Sequence, residues 1–180
     1  MKLTPSGGAR TDSGGGRTLI VADWAADPRA VVLACAEHAR DASLSLVVPS
    51  MLHGIDWVGD PYANVPCAKH ALSEMSSLLK AANLSIQSAD LGDHDSLAAV
   101  IDVTLRQSVD RIVVCEPSHR LRPRLIDLAH RARRATGLPV THVAVAPTER
   151  TRTRAPWFRL WRGECPATRP PSSATAAISV

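Results

Sequence analysis

Eight side chains capable of chemistry crowd the stretch VVCEPSHRLRPRLID, residues 113–127: Cys115, Glu116, Ser118, His119, Arg120, Arg122, Arg124 and Asp127. Three kinds of chemistry are open to them. Arginine forks fit phosphate oxygens, so Arg120, Arg122 and Arg124 could hold an anion. A thiol or hydroxyl beside an imidazole pairs a nucleophile with its base. Cys115, Ser118 and His119 have those types, but no third residue orients His119, so no catalytic residue is predicted. Carboxylates gathered at one end of a sheet can hold Mg²⁺, and Asp23, Asp27 and Glu116 are the set at hand. Asp27 is more simply a helix cap, because Pro28 follows it, and no metal site is predicted. His142 reads as a strand residue rather than a ligand, and Asp93–His94–Asp95 as a turn with a cap. The plain alternative for the arginines is a solvated basic face: Arg131 stands four residues from Asp127, and Arg133 and Arg134 suit the last turn of a helix.

These residues need a scaffold, and the apolar pattern supplies one. The continuous β-rich run at 18–22 (TLIVA) reads as a buried strand, and the runs at 44–48 (LSLVV), 111–115 (RIVVC) and 139–145 (PVTHVAV) read as further strands. LSIQSAD at 84–90 alternates as a further strand. Between them fall four helical patterns. The first runs from the Asp27 cap to about residue 40, with Val31, Ala34, Cys35 and His38 inward. The second covers 64–82, with Ala68, Ala71, Leu72, Met75, Leu78, Leu79 and Ala82 at the helical period. The third carries Leu97, Val100, Ile101, Leu105 and Val109 inward. The fourth covers 122–136, with Leu121, Leu125, Leu128, Ala132 and Ala135 inward and Gly137 after its end. Strands alternating with helices predict a parallel sheet covered on both faces, an α/β fold with a Rossmann-like arrangement. Ligands in such sheets bind beyond the carboxyl ends of the strands, where the strand order reverses.

The chain has 180 residues, 45% of them hydrophobic and 3% aromatic, so its core must be aliphatic. The formal charge of +4 is unevenly spread. Residues 18–119 carry −7, and the strip 120–134 carries +5. A nucleic-acid role does not follow from that sum. The four cysteines form no CxxC pair, which excludes the usual zinc motifs; Cys35 and Cys115 read as reduced core residues. No apolar run approaches the length of a transmembrane segment, and residues 1–17 lack the apolar centre of a signal peptide. The expectation is a cytoplasmic protein with one domain at 18–147. Residues 1–17 and 148–180 are expected to be mostly disordered tails. SGGG at 13–16 precedes a strand, where a phosphate loop should follow one. The second tail places Trp157, Phe158 and Trp161 among arginines, a composition suited to an anionic membrane surface, to RNA or to a protein partner.

LIVADW with its acid at Asp23, LVVP, Gly92–Asp93, RIVV and GLPVTHVAV, in this element order, resemble the universal stress protein family over residues 17–146. LPVTHV after an arginine-rich helix is similar to a divergent branch of it. The resemblance implies a sheet ordered 3-2-1-4-5, with adenine nucleotide such as ATP or AMP bound between strands one and four. Carried over residue by residue, it marks Asp23, Val48, Cys115, Glu116, Ser118, His119, Arg120 and Arg124. It also implies a homodimer through strand five. Nucleotide-binding members follow strand four with Gly, two residues, Gly, nine residues, then Gly and Ser or Thr. Here those positions fall on Cys115, Ser118 and about Ile126–Asp127, and Pro117 and Pro123 remove two N–H donors. The expectation is a small non-enzymatic regulator with a degenerate or altered nucleotide site. The alternatives are an active nucleotide binder using arginines in place of glycines, and an interaction module acting through its basic aromatic tail.

Overall fold

The computed structural model describes residues 16–51, 62, 64–118 and 127–148. Both tail segments and the arginines 120–124 lie largely or wholly outside the described residues. In chain order the elements are β1 (Arg17–Ala22), α1 (Pro28–His38), β2 (Ser43–Pro49), α2 (Val65–Ala81), β3 (Ile86–Gly92), α3 (Ser96–Arg106), β4 (Arg111–Pro117), α4 (Leu128–Thr136) and β5 (Val140–Val145). The five strands form one sheet in the order β3-β2-β1-β4-β5, and every pairing is parallel.

Alternation along each strand divides the core in two. Ile20, Leu44, Leu46, Val113 and Cys115 face α1 and α2, where Val31, Cys35, Met75 and Leu79 are fully buried. Leu19, Val21, Val47, Ile112 and Val114 face α3 and α4, against Ala99, Val100, Val103, Leu128 and Ala132. The buried residues are aliphatic and small, as the composition requires. Gln107, at the carboxyl end of α3, joins the strands beneath it. Its Oε1 accepts from Ser45 Oγ at 2.8 Å, and its Nε2 donates to Ser88 Oγ at 3.1 Å. The β2–β3 register shifts beside this point, between Leu44 and Ser45.

Three helices start on an aspartate cap. Asp27, Asp95 and Asp127 accept from the backbone N–H two residues on. Gly137 closes α4 in the left-handed region at φ 70°, where a side chain would be strained.

Several expected placements differ. α4 begins at Leu128 rather than at 122, because the Asp127 backbone is extended (φ −63°, ψ 127°) and its side chain is engaged as the cap. Leu121 and Leu125 of the expected stripe lie outside the described residues. The inward residues of α4 are Leu128, Ala129 and Ala132, and Ala135 is exposed. Arg131 reaches Asp95 of the neighbouring α3 cap at 3.9 Å instead of Asp127. Leu105 is 81% exposed, since the buried stripe of α3 is Ala99, Val100 and Val103. β3 runs over 86–92, two residues later than its alternation predicts. Among the described residues no helix is long and apolar enough to cross a membrane.

Candidate functional site

The strand order reverses between β1 and β4, so the carboxyl ends of these two strands frame the crevice where a ligand would sit. Asp23 follows β1 directly, and its N–H donates to Cys115 O at 3.1 Å, locking the two strand ends together. The Asp23 side chain is 4% exposed, and its Oδ1 accepts from Ala25 N–H at 2.9 Å. That bond turns the chain from β1 towards α1.

Val21, Asp23, Pro49, Met51, Ser96, Val114, Cys115, Glu116 and Leu128 line the crevice, which has a free volume of about 10 Å³. Met51 is tied to its surroundings at both carbonyl and sulfur. Its carbonyl accepts from Trp24 Nε1 at 3.2 Å and from Asn64 Nδ2 at 2.9 Å, and its sulfur meets Ser96 Oγ. A larger hollow of about 400 Å³ lies beside the amino ends of β4 and β5, lined by Ile101, Leu105, Val109 and Leu138 among others. It is the roomier space, but it has no titratable lining residue and none of the expected site residues.

Of the expected site residues, Asp23, Cys115 and Glu116 meet at the crevice. Val48 is fully buried against α1 and α2 instead. Cys115 is also buried in that core, where loss of solvent, with Cys35 nearby, pushes its thiol from 9.0 to about 12. A thiol so raised stays protonated at neutral pH and is a poor nucleophile. Cys35 and Cys115 are free and buried, as expected; Cys67, in the first turn of α2, is disulfide-bonded. Ser118 follows β4, and its N–H donates to Val145 O at 2.9 Å. His119, Arg120 and Arg124 lie outside the described residues.

The three carboxylates weighed for Mg²⁺ do not act as a set. Asp27 is engaged at its own helix cap. Glu116 instead meets Asp127 and His142, with one ligand atom from each lying within 4.8 Å of the others. Sequence reasoning missed this grouping, and a usable signal existed. Glu116 and His142 lie on the same face of neighbouring parallel strands, two positions apart in register. Asp127 joins them once it is read as the cap of α4 and not as an interior helix residue.

The fold is a doubly wound α/β sheet of the universal-stress-protein type. Among solved structures the chain is similar to a universal stress protein in complex with cAMP, with a TM-score of 0.50 and 18% identity over 73% of this chain and 99% of that one. No family model matches the chain, and no curated protein matches it in sequence.

Proposed function

We propose that the protein is a non-enzymatic, universal-stress-protein-like regulator of a divergent branch, whose nucleotide site between β1 and β4 is degenerate. The observation that supports this reading is that, among the described residues, the donors of Ser118 and Ala129 at the phosphate end are already engaged within the chain. Ser118 N–H donates to Val145 O, Pro117 has no N–H, and Ala129 N–H donates to the Asp127 carboxylate at 3.1 Å. A phosphate arriving there would meet the Asp127 carboxylate where phosphate-binding helices offer free N–H groups. The small crevice volume and the raised Cys115 thiol support the same reading. Calorimetry with ATP, AMP and cAMP, each with and without Mg²⁺, tests it. The expected result is no binding at micromolar concentrations. Micromolar binding that Asp23→Ala abolishes would overturn it. It would favour instead an active nucleotide binder with an arginine-modified phosphate loop, the reading supported by the cAMP held by the similar structure.

A homodimer through β5 belongs to this proposal. β5 is an edge strand, and among the described residues it pairs with β4 alone. An open edge of this kind is a natural place for a second copy. Val143 packs partly against the core, so a charge there would harm the single chain. Thr141 is exposed, and Thr141→Lys is the cleaner probe. Size exclusion with light scattering should find a dimer that this variant converts to a monomer; a dimer left unchanged would place the interface elsewhere.

A further inference from the structure

We propose that Glu116, Asp127 and His142 form a binding site for a divalent transition-metal ion of the zinc, cobalt or nickel kind. Each ligand comes from a different element, and the fold explains why they meet. Val114 pairs with His142 and Glu116 with Ala144 in the β4–β5 register, so Glu116 and His142 project from the same face of the sheet. That face is the one α4 covers, and the amino end of α4 carries Asp127 as its cap.

The geometry and the donor types agree with an ion. Glu116 Oε2 and His142 Nε2 stand 3.3 Å apart. Two ligands at about 2.1 Å from a tetrahedral ion stand roughly 3.4 Å apart. The third ligand atom lies within 4.8 Å of both, a gap that a small side-chain rotation closes. Asp127 uses Oδ1 for the Ala129 N–H, which leaves Oδ2 for the ion. Among the described residues no lysine or arginine pairs with either carboxylate, so two negative charges face one another around a neutral or protonated imidazole. A cation relieves that repulsion. An imidazole in the set favours zinc, cobalt or nickel over magnesium or calcium, which prefer oxygen donors alone. Three protein ligands, with the His142 side chain 39% exposed, leave a coordination position for water or a small anion.

The test uses the untagged full chain with zinc chloride alone and no nucleotide, so its outcome is independent of the nucleotide reading. Calorimetry should find one zinc ion per chain bound at micromolar concentration or tighter, and magnesium bound at least tenfold more weakly. His142→Ala and Glu116→Gln should each weaken zinc at least tenfold. Asp127→Asn should weaken it as well while keeping a residue that caps helices. His94→Ala, in an exposed pair with Asp93 elsewhere, should change nothing. With cobalt in place of zinc, the visible absorption of the bound ion should be lost in His142→Ala. His142 is exposed, and far-ultraviolet circular dichroism of the metal-free variant should match the original protein. Zinc that fails to bind the original protein, or that binds His142→Ala as tightly, overturns the proposal.

Discussion

Gly92→Ala lowers the stability of the fold by about 1–3 kcal/mol, the range for forcing an extra group into a packed interior. Gly92 ends β3 where the strand passes beneath α3. A Cβ built there would stand 2.7 Å from the Ala99 Cβ, 2.9 Å from Val47 Cγ2 and 3.4 Å from the Pro49 Cα. None of these atoms is the far end of a flexible side chain. Either α3 must rise or the β2–β3 edge must bend, and both disturb the core that Ala99, Val100 and Val103 make with the sheet. Urea unfolding measures the loss as a lower midpoint with an unchanged slope. Ala99→Gly in the same chain should recover part of it, since the two sites share one contact. A Gly92→Ala protein as stable as the original would mean that α3 leaves room for a methyl group above β3.

The second large effect is alkaline. Burial pushes the Cys35 and Cys115 thiols from 9.0 to about 12, while in the unfolded chain both titrate near 9.0. Between those values the unfolded chain has released protons that the folded chain still holds, so raising the pH favours unfolding. The stabilisation from the protonated core thiols is complete below pH 9 and is lost as pH rises from about 9 to about 12. Its size is on the order of a few kcal/mol for each thiol, since every tenfold difference in proton affinity between the folded and unfolded chains corresponds to about 1.4 kcal/mol. Urea midpoints across that range should fall steeply. In a chain carrying Cys35→Ala and Cys115→Ala they should start lower, because two cavities open in the core, but fall more gently. Identical slopes for the two proteins would show that the core thiols do not set the alkaline loss.

β1, β2 and β4 were legible in the sequence as continuous aliphatic runs because they are buried on both faces, and β5 was legible from the same kind of run although it is an edge strand with much of its length exposed. β3 was legible as a strand but not in its limits. It is an edge strand with the burial pattern of a half-covered element, and LSIQSADLG alternates acceptably in more than one frame. The start of α4 was misread because Asp127 fits an i,i+4 pair with Arg131 as well as it fits a cap. Only the position of the neighbouring α3 decides between them, by offering Asp95 to Arg131. Leu105 satisfied a helical stripe on paper, yet α3 turns it to the surface at its last turn. Asp23 and Glu116 were placed at the crevice by their positions at the carboxyl ends of strands one and four together with the family resemblance. The partnership of Glu116 with His142 needed the β4–β5 register, which spans 26 residues of chain and leaves no trace in local pattern.

The central place of β1 has a consequence for the nascent chain. β1 pairs with β2 as soon as residues 43–47 are available. Its other edge waits for residues 111–115 of β4, and the bond from Arg17 N–H to Asp110 Oδ2 closes a gap of 93 residues. At about 5–20 residues per second, translation leaves that apolar edge open for roughly 5–20 seconds. An open, apolar strand edge is a template for pairing with other chains. A ribosome stalled before β4 would therefore release a chain whose innermost strand is its exposed margin, and such fragments should depend on chaperones far more than the completed protein does.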